Sequence, residues 1–337
     1  MPTLPPVTPR DPSVFSIGFD PRDRGRLHAL WDEVLDSQRW AEGPMTERFE
    51  AAWGRAHALR AVAMGSWTGG ALAALAFAGV RDRAVVVPSN TFMATPLAVM
   101  AAGGRPVFAD CSREDLCLPF DEVERLVDEH DARAVVLVHI GGHIAFDVQR
   151  IADFCRDRGV VLIEDCAHAH GASWNDRAAG SWGDAGIYSL YATKTISTGE
   201  GGVLVSNNAD LLEFARAFRN YGKPSHAVHG LNFRMSEFTA ALGVVQVERL
   251  AEIVAWKNAV ARELLDPQHP ARLRLPEGMV SGLYKYVVFD EIARSTGRVY
   301  DHPCHRILGS GDDLPNTDWV ATNHWCVPLY YRPEVTP

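Results

Sequence analysis

The sequence predicts an α/β protein: a large domain with a mostly parallel central sheet flanked by helices, plus a small C-terminal α+β domain. Three observations lead there. Short β-rich runs alternate with helical patterns through the first two thirds of the 337 residues. A long helical stretch follows, and after Pro267 prolines and glycines cut the chain into short apolar pieces. Because 47% of the residues are apolar, the core can exceed that of one ordinary domain. We place the large domain at residues 1–245, with the proline-rich stretch 1–12 expected to be flexible. The linking helix and a shortened small domain take 246–337.

In chain order, strands are expected at 84–87, 106–109, 134–140, 160–163, 186–191 and 202–206, each rich in Val, Ile or aromatic residues. Between two of them Val148, Ile151, Phe154 and Cys155 fall at helical spacing, with Gly159 as the stop, so this unit reads as a crossover helix returning to a parallel sheet. From about 235 to 265 a long helix carries Leu242, Val245, Val247 and Leu250 as core positions. Beyond it, 283–289 and 325–329 are the apolar runs of the small domain.

The formal charge of −9, with acids and bases interspersed and no basic tract, excludes a general nucleic-acid binder. Six cysteines without a CxxC pair read as reduced, structural thiols. The N-terminus lacks a signal-peptide pattern. The most apolar window, 92–102, is cut by Pro96 and falls short of the roughly 20 residues a membrane span needs. A cytoplasmic location with no membrane contact is the expectation.

Lys194 stands between an apolar strand and the loop Thr195-Ile196-Ser197-Thr198-Gly199-Glu200-Gly201-Gly202. Desolvation there would lower its pKa and supply a neutral, nucleophilic amine, whereas a surface lysine would stay solvated and charged. Upstream, Val160-Val161-Leu162-Ile163 runs into Glu164-Asp165-Cys166-Ala167-His168-Ala169-His170. A carboxylate directly after four apolar residues needs a cationic partner or a capping role. A lysine and a strand-end aspartate are the pair a pyridoxal phosphate enzyme uses, for the Schiff base and the pyridinium nitrogen respectively. His168 and His170 read either as ring contacts or as hydrogen-bonded core residues.

Gly65-Ser66-Trp67-Thr68-Gly69-Gly70 precedes an Ala/Leu-rich helix, and a helix N-terminus offers free amides and a favourable dipole to a phosphate. Phe92, in Pro88-Ser89-Asn90-Thr91-Phe92-Met93-Ala94-Thr95, follows a strand. It could stack on a flat ring, although residue pattern alone favours a core phenylalanine. No metal site is expected. His139 and His143 have i, i+4 spacing, but Gly141 and Gly142 argue against a helix between them, and the general-base glutamate is missing.

Taken in order, these segments resemble the DegT-type (DegT/DnrJ/StrS) sugar aminotransferases, pyridoxal phosphate enzymes of the aspartate aminotransferase fold. The resemblance runs from Gly43-Pro44-Met45-Thr46 and Phe49-Glu50 to about Leu265. It is most specific in Glu164-to-Ala172, Lys194-to-Gly202 and Gly230-Leu231-Asn232-Phe233-Arg234-Met235-Ser236-Glu237. It implies that Lys194 carries pyridoxal 5'-phosphate as a Schiff base and that Asp165 pairs with the ring nitrogen. It further implies that Thr68, Gly69 and Ser189 bind the phosphate, that Phe92 lies against the ring and that His168 contacts it. Asn232 would reach the neighbouring subunit's cofactor, so a homodimer with shared active sites is implied.

The implied reaction moves an amino group from glutamate or glutamine, through pyridoxamine 5'-phosphate, to a keto-sugar, often nucleotide-linked, or to a keto-cyclitol. Trp67 stands where the family usually has glycine, Gly69-Gly70 where alanines are common, and Ala192 where proline is frequent. Competing readings are a dehydratase of the same fold, against which Lys194 speaks because histidine typically replaces it, and a regulatory protein that keeps the pocket.

Overall fold

The computed structural model describes residues 19–332. The expectation for 1–12 lies outside the described residues. Two helices open the chain, α1 (Arg24–Ser37) and α2 (Pro44–His57). Then β and α elements alternate: β1 (Arg60–Met64), α3 (Trp67–Ala78), β2 (Ala84–Pro88), α4 (Ala94–Ala101), β3 (Arg105–Ala109), α5 (Phe120–His130), β4 (Ala134–Val138), α6 (Val148–Arg158) and β5 (Val161–Asp165). A small two-stranded excursion, β6 (Ser173–Trp174) and β7 (Arg177–Ala178), leads to β8 (Ala185–Ser189), β9 (Gly202–Ser206), α7 (Ala209–Phe218) and the long α8 (Glu237–Val260).

The seven-stranded sheet has the order β1-β9-β8-β5-β4-β2-β3. Only β9 runs against its neighbours, so the other six strands share one direction. Their carboxyl ends therefore form one edge, where open α/β sheets place ligands. Asp165 ends β5 and Ser189 ends β8 on that edge. Helices cover the sheet, and its strands β2, β4, β8 and β9 are buried at every residue.

All six expected strands form, with small differences at their ends. The fourth begins at Val161 and runs on to Asp165, β4 stops at Val138 because Ile140–Gly142 turns as a 3-10 segment, and β8 stops at Ser189. His139 and His143 thus flank a turn instead of sharing a helix face. The crossover helix α6 ends at Gly159, whose left-handed conformation returns its N–H to the carbonyls of Cys155 and Arg156. Strand β1 was not expected. Its Arg-Ala-Val-Ala-Met sequence has weak β character, and pairing with β9, from Arg60 opposite Ser206 to Met64 opposite Gly202, decides its conformation.

Two segments distant in sequence lock the start of the fold. Glu237, 1% exposed, accepts the N–H groups of Met45 (2.7 Å) and Thr46 (3.1 Å) and the Thr46 hydroxyl, placing an anion on the free amides that begin α2. Glu50 on α2 accepts the Ala63 N–H and pairs with Arg219 at 2.6 Å, tying α2 to β1 and α7.

After α8 a π-helical turn, Ala261–Leu265, completes the long helical stretch. The division drawn at residue 245 falls inside α8. The C-terminal third contains β10 (Met279–Val280), β11 (Tyr286–Val288), the short helices α9 (Cys304–Ile307) and α10 (Pro315–Val320), and β12 (Trp325–Val327), which pairs antiparallel with β11. A second apolar cluster forms here from Val260, Leu265, Leu283, Tyr286, Val288 and Leu329. All six cysteines are buried free thiols. No helix among the described residues is long and apolar enough to cross a membrane.

Candidate active site

Alternation along β5 gives its two terminal acids opposite fates. Glu164 turns into the interior and is consumed structurally: its carboxylate accepts the N–H groups of Gly180, Trp182 and Gly183 at 2.6–2.8 Å and meets His139 Nε2 at 2.9 Å. Asp165, 5% exposed, faces the ligand edge. Its Oδ1 accepts the Ala167 N–H and the Trp67 indole N–H, each at 3.0 Å. Among the described residues, its Oδ2 has only the Thr95 hydroxyl, at 3.4 Å. Burial pushes this carboxyl up, while the Ala167 N–H, Lys194 and the Trp67 N–H pull it down.

Lys194 lies in a loop closed on itself, with Leu190 N–H donating to Gly201 O, Thr198 N–H to Leu190 O and Lys194 N–H to Tyr191 O. Its Nζ sits 4.8 Å from the centre of the Tyr284 ring, and it forms no ion pair with the described residues. Desolvation lowers the amine from 10.5 to about 8 against the attraction of Asp165, and Lys285 lowers it further. The site thus holds an amine that is partly neutral near physiological pH, within electrostatic reach of a buried carboxylate.

His168, 4% exposed, stacks on Tyr284 with ring centres 4.1 Å apart, and its Nε2 meets the Tyr300 hydroxyl at 3.3 Å. Its Nδ1 is buried and without a partner among the described residues, and burial holds the ring well below the usual histidine range. His170 is structural: Nε2 hydrogen-bonds to the Ser189 carbonyl at 2.8 Å within a cluster of Trp53, His57 and Tyr188.

The glycine-rich segment starts α3, and Ser66 caps it by accepting the Gly69 N–H at 3.3 Å. Thr68 is exposed on the first turn, and Gly69 is buried. A Cβ on Gly69 would lie 2.8 Å from the Phe233 ring, so this glycine also serves packing. Ser189 comes close because Gly202 pairs with both Ser189 and Met64, and a Cβ on Gly202 would stand 2.5 Å from the Ser66 carbonyl. Asn232 is exposed beside this turn, and the next residue, Phe233, accepts the Gly65 N–H at 2.6 Å. Phe92 is no core residue: it is 63% exposed, because its loop rises from the sheet edge and only its backbone joins the turn that starts α4.

Four residues were not anticipated in these places. Trp67 and Thr95 both bond to Asp165, and Tyr284 and Tyr300 flank His168 from the C-terminal third. Thr95 sits in the polar run after β2, a usable signal. The tyrosines carry none, being more than 110 residues from His168.

This donor set fits pyridoxal phosphate. The unpartnered His168 Nδ1, the weakly satisfied Asp165 Oδ2 and the low-pKa Lys194 amine are the polar groups a pyridine aldehyde would engage, and the first turn of α3 suits its phosphate. Comparison with known proteins agrees. Residues 22–269 match the DegT/DnrJ/EryC1/StrS aminotransferase family. A GDP-perosamine synthase of Vibrio cholerae is 36% identical over 182 residues, which span 52% of this chain and 49% of that protein. A dTDP-3-amino-3,4,6-trideoxy-alpha-D-glucose transaminase of Micromonospora megalomicea subsp. nigra is 32% identical over 92% of this chain and 91% of its own. The crystal structure of the aminotransferase TlmJ from Streptoalloteichus hindustanus superposes with a TM-score of 0.84 at 30% identity, covering 94% of this chain and 92% of that one. A desolvated lysine beside a buried strand-end aspartate is what these enzymes' cofactor demands, and the chain belongs to the DegT/DnrJ/EryC1/StrS family of pyridoxal phosphate-dependent aminotransferases.

Proposed function

We propose that the protein transfers an amino group from glutamate or glutamine to a nucleotide-linked keto-sugar, as a cytoplasmic homodimer with shared active sites. The observation that carries this is a desolvated Lys194, lowered to about 8, within electrostatic reach of Asp165 at the ligand edge of the sheet. Relatives that act on dTDP- and GDP-linked sugars support the acceptor class. We assign residues 1–245 to the cofactor-binding domain and 246–337 to the linking helix and small domain.

In this reading Thr68, Gly69 and Ser189 hold the phosphate, Phe92 covers one face of the ring, and His168 contacts it from the strand end. Asn232, exposed on its own subunit, reaches the phosphate across the dimer. When bound, pyridoxal phosphate stores the amino group between the two half-reactions and draws off the electrons left when a proton leaves the donor's Cα. With pyridoxal phosphate bound, Lys194 would hold it through Nζ, the neutral amine being the form that bonds to an aldehyde carbon with loss of water, and when free of it the same amine would accept the proton that leaves the donor's Cα. Asp165 would hold the cofactor's ring nitrogen, its negative charge favouring the protonated ring. Tyr284, with its hydroxyl 3.2 Å from Thr193 Oγ1 and its ring under Lys194, limits where the amine can swing.

The test begins with the purified protein and pyridoxal phosphate. Glutamate or glutamine should bleach the bound cofactor's visible absorbance, and one member of a panel of nucleotide keto-sugars and keto-cyclitols should restore it. Lys194→Ala is expected to lose that absorbance and turnover; an alanine variant with unchanged turnover would sink the assignment.

A further inference from the structure

We propose that Trp67 is a positioning residue for Asp165: its indole N–H secures one carboxylate oxygen so that the other is presented to the cofactor's ring nitrogen. The inference rests on the reading of Asp165 given above. The two oxygens of Asp165 are unequal. Oδ1 has two donors at 3.0 Å, Trp67 Nε1 and the Ala167 N–H. Among the described residues, Oδ2 has a single hydroxyl at 3.4 Å, long for an O–H···O bond, and that hydroxyl also lies 3.0 Å from Thr91 Oγ1. One oxygen is therefore anchored, and the other keeps acceptor capacity toward the ligand edge.

The anchor is rigid. Trp67 is 8% exposed, packed in the main core, and is the first residue of α3. Its backbone is backed by β9, since a Cβ on Gly202 would come within 2.6 Å of the Trp67 nitrogen. An indole N–H can only donate, so unlike a hydroxyl or a histidine it never competes with the carboxylate as an acceptor. A hydrogen bond to the charged form favours that form, which opposes the upward push that burial exerts on Asp165. Trp67 also shares a helical turn with Thr68 and Gly69. The same backbone segment thus sets the distance between the phosphate end and the nitrogen end of the cofactor site.

Trp67→Phe keeps most of the ring volume and deletes the donor. Equilibrium dialysis of the apo-protein is expected to show about tenfold weaker binding of pyridoxal phosphate, the scale of one hydrogen bond to a charged group. The decisive comparison is 1-deazapyridoxal phosphate, which carries C–H in place of the ring nitrogen and should bind the wild type and the variant alike. Equal weakening of both compounds would reduce Trp67 to a packing role and overturn the proposal, as would no weakening of either. A wild type that binds neither compound would instead overturn the cofactor reading on which the proposal rests. If the phenylalanine variant does not fold, wild-type protein with ¹⁵N-labelled indoles decides. One indole N–H signal should move on loading with pyridoxal phosphate and stay in place with the deaza compound; no such difference overturns the proposal.

Discussion

Lys194 should react as an amine half protonated near pH 8. Relative to its ordinary 10.5, a value of about 8 enriches the neutral, nucleophilic form about 300-fold at pH 7. The sign follows from burial: desolvation disfavours the ammonium, so the proton leaves at lower pH than from a free side chain. Mixing apo-protein with pyridoxal phosphate in a stopped flow, and following the bound cofactor's absorbance, should give a rate that climbs about tenfold per pH unit below 8 and then levels. A free lysine side chain measured in parallel keeps climbing toward its own value of about 10.4, which removes the aldehyde's contribution. Two variants move the break in opposite directions. Lys285→Met removes a like charge that lowers the amine, so the break shifts to higher pH; Asp165→Asn removes an opposite charge that raises it, so the break shifts lower. A rate still rising tenfold per unit at pH 10, or both variants shifting the same way, would refute the desolvated-amine argument.

Two further outcomes test the frame around the site. Gly202→Ala pushes a methyl group against the Ser66 and Trp67 backbone, which cannot rotate away, and should cost about 1–3 kcal/mol, read as a lowered Tm by differential scanning calorimetry. Glu237→Gln leaves the α2 amides without their anion and should cost about 1.5–3 kcal/mol in urea denaturation, with an unchanged midpoint counting against the capping role.

The alternation of strands and helices was legible because parallel strands buried on both faces read as apolar runs, and β2 and β4 are such runs. Strand β1 was not, since Ala61 and Ala63 carry no local preference and only the partner strand selects their conformation. Asp165 and Lys194 stood out by the cost of placing charge at the ends of apolar segments. Residue pattern alone pointed Phe92 to the core, and the structure exposes it: a loop at a sheet edge offers an aromatic no interior, and no local signal distinguishes the two. Tyr284 and Tyr300 were invisible because stacking on His168 is set by tertiary placement, not by spacing.

Those two tyrosines come from the C-terminal third of the chain. What matters for the site is where that region is tied down. The Gly282 and Lys285 N–H groups donate to the carbonyls of Gly142 and Gly141, and Lys257 and Asn258 on α8 donate to the carbonyls of Leu283 and Ser281. The segment holding Tyr284 is thereby clamped from both sides. Farther along, the Cys304 N–H donates to the Ser89 carbonyl and the His305 N–H to Ser89 Oγ, fixing the stretch after Tyr300 to the loop that leads into Phe92. Both clamps attach to loops that leave the carboxyl ends of β4 and β2. The tyrosines are therefore registered to the same sheet edge that carries Asp165, and they form a wall of the site held by hydrogen bonds to the β4 and β2 loops.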